Sequence, residues 1–334
     1  MVGIVGRPTI RRRGATSFQG FCLFAVILLT WLRFPMSIRL LALDLDGTLL
    51  NSRGQISERN RRALAATRSS GVRVAIVTGR RFRDARPIAL ELGLDVPVIA
   101  HNGALTKHAE TLETVAVLPL PLAAARNAIQ VGRAAGADPL ISDDHEGLGV
   151  LIYDHLSGDN LALLQYVTWA QRIHGEESGA AVRQVALVEE YLNHEPVHLA
   201  FSGGCERMKH LEAQLRRELK ETVKIFCTTY ARKDFALLDI VHPGASKGVG
   251  VAAAAAELGI SSHEVMAVGD NLNDLEMLEF AGTGVVMGNA EPSLHEIKGL
   301  NATTTNDDDG VAVAIERFIL DAQDRVTTGI EIRS

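Results

Sequence analysis

The stretch Ile38-Arg39-Leu40-Leu41-Ala42-Leu43-Asp44-Leu45-Asp46-Gly47-Thr48-Leu49 decides the fold. Its first half is a near-continuous apolar run, which is how a parallel strand buried on both faces reads. Two carboxylates, Asp44 and Asp46, then stand two apart at the end of that strand. Buried acids are costly unless they are paired, hydrogen-bonded or metal-bound. Gly47 lets the chain turn at once, at the strand end where open α/β sheets bind their ligands. An ordinary acidic turn is the plainer reading of the same residues.

Strand-like and helix-like segments alternate from Ile38 onward, the mark of a parallel α/β sheet. Ser57 is placed to cap a helix running to Ser70, with Gly71 as its stop. Arg73–Thr78 and Val96–Ala100 read as further strands, separated by a helix to about Leu92. The pattern then loosens. A hairpin at Thr106–Val117 and a helix at Leu122–Ala135 lead into strands at Gly149–Tyr153, Val182–Val188, Val197–Phe201 and Val223–Thr228, with helices near Asn160–Ile173 and Glu206–Glu221. Regular alternation resumes at Leu237. A helix at Ser246–Leu258, a strand at Val265–Val268, a helix at Asn273–Ala281 and a strand at Gly284–Met287 follow, then a closing helix near Val311–Leu320. The expected fold is α/β: a Rossmann-like doubly wound parallel-sheet core with an inserted α+β domain. The expected division is an extension at 1–35, core at 36–117, insertion at 118–238, core again at 239–322 and a polar tail at 323–334.

The 334 residues are 47% hydrophobic and 22% charged, which suits two folded domains and excludes a wholly disordered chain. Cys22, Cys205 and Cys227 make neither a disulfide framework nor a C-x-x-C zinc pattern, so a reducing, cytoplasmic setting is expected. Charge is unevenly spread. Residues 1–35 hold five arginines and no acid, while the remaining 299 carry 29 basic and 40 acidic side chains, a formal −11. A body that acidic repels a phosphate backbone, so a nucleic-acid partner is not expected. Oligomeric state has no signal in the sequence.

Arg11-Arg12-Arg13 precede the apolar run Phe21–Leu32, which is short for a bilayer span unless residues 18–34 are counted together. Three readings fit: a membrane anchor, a signal segment, or a leader placed ahead of a start at Met36, directly before the first core strand. A membrane association is expected only if residues 18–34 are a genuine anchor.

Three further stations join the first. Thr78-Gly79-Arg80 ends the second strand, where a hydroxyl and a bare backbone N–H suit a phosphate oxygen, though such a pair also makes a plain turn. Lys247 opens a helix and can act as a point cation against phosphate, or lie solvated on the surface. Gly269-Asp270-Asn271-Leu272-Asn273-Asp274 crowds acids and amides at a strand end, fit for hard oxygen ligation of Mg²⁺ or for helix capping.

In this order the four stations resemble the haloacid dehalogenase-like hydrolase superfamily, and its Cof-type phosphatases in particular. The match lies in Asp-x-Asp-Gly-Thr at 44–48, Thr-Gly-Arg at 78–80, the helix start at Lys247 and Gly-Asp-x-x-Asn-Asp at 269–274. His101-Asn102-Gly103-Ala104, Val286–Ala290 and Asn306–Val311 are similar too, and the resemblance covers about residues 37–320. It implies that the insertion is an α+β cap that closes over the core. It implies Asp44 as nucleophile and metal ligand, and Asp46 as general acid and base whose backbone carbonyl also meets the metal. Asp270 would complete the protein's metal ligands, and Asp274 would orient a metal water or Lys247. Thr78, Lys247 and Asn273, with the N–H groups of Leu45 and Gly79, would hold phosphate oxygens. The expected activity is Mg²⁺-dependent hydrolysis of a small phosphorylated metabolite, a sugar phosphate or phosphorylated cofactor, through an aspartyl-phosphate. A dedicated biosynthetic sugar-phosphate phosphatase, a phosphomutase and a non-catalytic phosphometabolite-binding protein are the alternatives. Among polar residues of the insertion, His145, Tyr153, His155, Arg183, His194 and His198 are candidates to face the substrate, or to be plain surface and core residues.

Overall fold

The computed structural model describes residues 38–143, 147–158, 160–174, 181–230 and 233–321. Residues 1–35, with their three readings, lie outside these, as does His145. Among the described residues, no helix is long and apolar enough to cross a membrane.

The run at the heart of the sequence forms β1 (Leu40–Leu43), and all four of its residues are buried. It pairs in parallel with β2 (Arg73–Ile76) on one side and β12 (Val265–Gly269) on the other. Two further parallel strands, β13 (Thr283–Val286) and β14 (Asn301–Ala302), continue the sheet in the order β14-β13-β12-β1-β2. Alternate residues feed opposite faces. Leu41, Leu43, Val74, Ile76 and Met266 pack against helices α1 (Glu58–Ser69) and α9 (Gly310–Ile315). Leu40, Ala42, Ala75, Val265 and Ala267 pack against α7 (Lys247–Glu257) and α8 (Leu275–Phe280). Helices on both faces explain why β1 is apolar throughout and why β2 is so after Arg73. Chain order reverses between β1 and β12, and the crevice at such a switch point is where doubly wound sheets take ligands.

Helix α1 starts where the sequence placed it: Ser57 Oγ accepts the N–H of Asn60 at 3.1 Å. Helix α2 (Phe82–Glu91) follows β2, and a parallel bridge between Val77 and Ile99 leads to β3 (Val98–Ala100). The expected hairpin is present as β4 (Leu105–Lys107) and β5 (Thr114–Val117), joined to β3 in a small antiparallel sheet.

A second, mixed sheet runs β10-β11-β9-β6-β7-β8. Its strands are β6 (Leu140–Asp143), β7 (Val150–Tyr153), β8 (Val182–Gln184), β9 (His198–Gly203), β10 (Lys224–Tyr230) and β11 (Phe235–Val241). Helices α3 (Leu122–Ala134) and α6 (Cys205–Leu219) cover one face, over a core that includes Ile141, Ile152, Leu199, Phe201 and Leu238. Helix α4 (Leu161–His174) lies on part of the other face, through Leu163 and Val167.

Several local expectations change here. Strand β6 carries only two apolar residues in four and was not anticipated. The strand expected over Val182–Val188 stops at Gln184, and a short helix α5 (Val188–Tyr191) follows. Leu237-Leu-Asp-Ile-Val reads as a resumption of the core, yet the whole of β11 pairs antiparallel with β9 and β10. The boundary expected at 238/239 therefore falls inside a strand of the second sheet.

Candidate active site

Where β1 ends, Asp44 leaves the sheet beside the β1–β12 crevice, and it is only 4% exposed. Lys247 stands on the first turn of α7. Ser246 fixes that turn, its hydroxyl accepting the N–H of Val249 at 3.2 Å. The Lys247 Nζ donates to Asp44 Oδ1 and to Asp274 Oδ1, each at 2.6 Å. All three side chains are buried. The other oxygen of Asp274 accepts the N–H groups of Asp270 and Asn271, both at 2.9 Å, and so shapes the loop after β12. Thr48 Oγ1 donates to Asp270 Oδ1 at 3.2 Å, tying the loop after β1 to the loop after β12. Gly47 has φ +83°, and a Cβ there would lie 2.2 Å from Asp270 Oδ2. Only glycine lets these two loops meet.

Burial drives the Asp44 acid well above the usual carboxylate range, with Lys247 pulling the other way. Burial and the charge of Asp274 push Asp270 up to about 6. Burial pulls Lys247 down, but Asp274 and Asp44 outweigh it and its ammonium form is favoured. Three acids thus stand around one ammonium, which bonds two of them; fully ionised, the group would carry a formal excess of two negative charges, with part-buried Asp270 at its edge. Oxygens of Asp44, Asp270 and Asp274 lie within 4.8 Å of one another. Asp274 has both oxygens committed, whereas Asp44 and Asp270 each keep one outside the bonds just named. An all-oxygen donor set with that charge fits a hard divalent cation.

Asp46 stands apart from this cluster. Its carboxylate is exposed and takes a two-pronged contact from Arg80, with Nε at 2.7 Å and Nη2 at 2.5 Å. Thr78 is buried, its hydroxyl accepts the Arg80 N–H at 3.1 Å, and its carbonyl accepts the N–H of Asn102. Asn273 Nδ2 donates to Asn102 Oδ1 at 2.9 Å. A Cβ at Gly79 would press on that same Asn102 oxygen at 3.1 Å, so the Thr78 and Asn273 stations lean on one shared side chain. The side chain of Leu45 points into the core, fully buried beneath the loop. The structure therefore brings Asp44, Asp270, Asp274 and Lys247 into direct or near contact. It sets Asp46, Thr78, Gly79 and Asn273 around them on neighbouring loops.

The second sheet supplies a wall. Beside Gly79, Arg80 and Arg81 lies a cavity of about 440 Å³, roofed by the face of that sheet opposite α3 and α6. Alternate residues of β9 and β11 face it: His198, Ala200 and Ser202, then Phe235, Leu237 and Asp239. His198 Nε2 and Asp239 Oδ1 are 2.8 Å apart, and the His198 ring lies 4.9 Å from that of His101 on the core. Tyr166 of α4 donates to Asp84 Oδ2 of α2 at 2.7 Å, linking the two halves at the cavity's edge.

Of the polar residues expected to face a substrate, His198 alone among those described lines this cavity. Tyr153 is buried in the cluster under α4, His155 and Arg183 are exposed, and His194 pairs with Asp143 at 2.7 Å. Sequence reasoning missed Arg80 as the partner of Asp46, although it stood in the Thr-Gly-Arg motif. It also missed Thr48, Asn102, Tyr166 and Asp239. Thr48 was within the quoted motif, and the alternation of Phe235, Leu237 and Asp239 was a readable signal once β11 is a sheet strand.

A family model for haloacid dehalogenase-like hydrolases matches residues 41–315. The chain belongs to that family, in its Cof-type branch, and is a phosphoric monoester hydrolase. Phosphatase YwpJ of Bacillus subtilis (strain 168) is 33% identical over 294 residues, covering 84% of this chain and all of that protein. Pyridoxal phosphate phosphatase YbhA of Escherichia coli (strain K12) is 30% identical over 261 residues, covering 78% and 91% respectively. A haloacid dehalogenase-like hydrolase from Bacteroides thetaiotaomicron superposes with a TM-score of 0.68 at 26% identity, covering 84% of this chain and 99% of that one.

Proposed function

We propose that the chain is a Mg²⁺-dependent phosphatase that hydrolyses small phosphorylated metabolites, sugar phosphates or phosphorylated cofactors, through an aspartyl-phosphate. The observation that carries this reading is the buried Asp44–Lys247–Asp274 chain beside Asp270, with two negative charges in excess at the switch point of a parallel sheet. Asp44 and Asp270, with the Asp46 backbone carbonyl, would hold Mg²⁺. Bound there, it would offset the carboxylates' charge and that of the phosphoryl group.

In this reading Lys247 fixes one Asp44 oxygen and leaves the other to attack phosphorus in line, forming the P–O bond as the ester oxygen departs. Asp46 gives that oxygen a proton, then takes one from the water that cleaves the acyl phosphate. Its two-pronged pairing with Arg80 has to open for either transfer. Thr78, Asn273 and the N–H groups of Leu45 and Gly79 hold the phosphoryl oxygens, while Lys247 meets charge as it builds. Asp274 positions Lys247 and the loop that presents Asp270. The second sheet is the cap, and the cavity beside Gly79 and Arg80 takes the leaving group. The free thiols of Cys205 and Cys227 suit a cytoplasmic setting.

The test is phosphate release from p-nitrophenyl phosphate by the full chain, with Mg²⁺ and after chelation. Release that needs Mg²⁺ and yields inorganic phosphate with no isomerised ester supports hydrolysis. An isomerised ester points to a phosphomutase, and folded protein that binds esters but never turns them over overturns the enzyme reading.

A further inference from the structure

Two motifs that the proposed mechanism leaves idle lie against the loops that carry Asp46 and Asp270. One is Met287-Gly288-Asn289-Ala290, directly after β13, and the other is Asn306-Asp307-Asp308-Asp309, directly before α9. Their side chains meet the loop after β1 through its backbone. Asn289 Nδ2 donates to the Gly47 carbonyl at 2.8 Å, and Asn306 Nδ2 donates to the Leu50 carbonyl at 2.9 Å. Asp307 Oδ1 accepts the Ser52 N–H at 2.8 Å. The two asparagines are joined to each other, since Asn289 Oδ1 accepts the Asn306 N–H at 2.8 Å.

The segment after β13 also holds the loop after β12. Met287 donates its N–H to the Gly269 carbonyl at 3.0 Å, and Glu291 donates to that of Asp270 at 2.9 Å. Residues 287–291 thus grip both loops that meet where a Cβ on Gly47 would strike Asp270. The grip is anchored in turn. Gly288 donates to the Thr304 carbonyl at 3.0 Å, the Thr305 carbonyl accepts the Gly310 N–H at 2.9 Å, and Thr305 Oγ1 donates to Asp308 Oδ2 at 2.7 Å. Glycine gives the loop after β1 its turn but no stiffness of its own. Bonds to its carbonyls from a fixed frame supply that stiffness, and the partners that orient a metal's ligands tune how well the metal is held.

We infer that Asn289 and Asn306 are positioning residues: they brace the loop after β1 against the loop after β12 and so set the spacing of the Asp46 carbonyl and the Asp270 carboxylate toward a divalent cation. Asn289 belongs to the segment that grips both loops, whereas Asn306 bears on one loop and holds Asn289, so Asn289 has the larger effect. The inference rests on the proposed Mg²⁺ site.

The experiment follows the thermal unfolding midpoint of the full chain as Mg²⁺ is raised, without substrate, and takes a dissociation constant from that curve. Asn289→Ala should raise the constant roughly tenfold, the lower end of what lost outer partners cost a metal site. Asn306→Ala should raise it less, in the same direction. Asn301→Ala is the comparison, because it removes an amide-to-carbonyl bond of the same kind near the start of β13, from Asn301 Nδ2 to Gly284 at 3.2 Å. It should lower the metal-free midpoint and leave the Mg²⁺ constant alone. With p-nitrophenyl phosphate, Asn289→Ala should need about tenfold more Mg²⁺ for its half-maximal rate and regain most of the wild-type kcat once saturated. An Mg²⁺ constant unchanged in both brace variants, or raised equally in Asn301→Ala, would overturn the inference. If Asn289→Ala does not fold, Asn306→Ala decides by the same comparison. Should the wild type bind Mg²⁺ yet release no phosphate, the hydrolytic reading falls and the midpoint curves still decide the brace. Should it release phosphate but bind no Mg²⁺, the brace falls and hydrolysis stands.

Discussion

Two buried clusters of paired polar side chains sit on facing walls of this molecule, and they differ in how their charges are balanced. In the core, Lys247 is clamped between Asp44 and Asp274, all but sealed from water, with net negative charge left over. In the second sheet, His198 and Asp239 make a one-to-one pair whose side chains are each 7% exposed, surrounded by apolar residues. The first group gathers more carboxylates than its one ammonium balances, a setting that a bound cation would relieve. The second is closed upon itself, and its surroundings are shaped by packing. In the proposed reading, chemistry and selectivity would be written in different terms: charge imbalance in one wall, area and shape in the other.

Asp44→Asn tests the core side hardest. The change keeps shape and a hydrogen bond for Lys247 but removes the attacking oxygen, so kcat should fall by roughly 10³-fold or more, the scale seen when a nucleophile is deleted. Circular dichroism and thermal unfolding should stay close to wild type, because a buried charge is removed while the amide oxygen still accepts from Lys247. A variant that still turns over near the wild-type rate would mean that Asp44 is not the nucleophile.

Lys247→Met separates the two walls by stability. It strips the only ammonium from a cluster of buried carboxylates, and breaking such a buried pair costs about 3–5 kcal/mol. Urea unfolding should show that loss, and saturating Mg²⁺ should restore part of it, since a ligand that binds only the folded state stabilises by mass action. An unchanged midpoint in metal-free buffer would remove the argument that the cluster is held by this lysine.

These core residues were legible because their setting was. Strands β1, β2 and β12 are covered on both faces, so each reads as an apolar run, in β2 from Val74 onward, and an acid directly after such a run, as at Asp44 and just past Gly269, is conspicuous. The second sheet gave no such signal. Strand β6 is Leu-Ile-Ser-Asp, with one polar residue on each face: Ser142 lines the cavity beside Leu140, and Asp143 on the other side accepts from Tyr191 and meets His194. Strand β11 looked like a core strand because Leu237, Leu238, Ile240 and Val241 are apolar on both faces, and only its antiparallel partners reveal where it lies. The cavity is assembled by register across four strands and from α4, which sets Ser142 opposite His198 and Asp239 opposite Ala200. No local pattern encodes that. Arg80 was in view but its partner was 34 residues away, a pairing that spacing alone does not give.

Gly132→Ala probes the second sheet without touching the core cluster. A Cβ at Gly132, on α3, would lie 2.2 Å from the ring of Phe201 on β9. Overpacking of that kind costs about 1–3 kcal/mol. Unfolding should shift by that amount, and KM for p-nitrophenyl phosphate should rise more than kcat falls, because β9 carries His198 and Ala200 on its opposite, cavity-lining face. Equal losses in kcat and kcat/KM would mean that the sheet's geometry reaches into the chemical step.

The smallest effect belongs to the link between the walls. Tyr166→Phe removes the hydroxyl that α4 gives to Asp84 of α2, while keeping the ring that borders the cavity. Asp84 retains Arg81, whose Nε lies 3.2 Å from the same oxygen, so it is not left unpaired. A hydrogen bond to a carboxylate is worth about 1.5–3 kcal/mol at most when nothing replaces it, and with Arg81 in place the loss should be nearer 1 kcal/mol. If the bond holds the second sheet over the core, protection of β9 and β11 amides from hydrogen exchange should drop while that of β1 and β12 stays. Equal loss of protection in both sheets would show that the two walls open as one unit, and the distinction between a charged, fixed wall and a shaped, adjustable one would have to be abandoned.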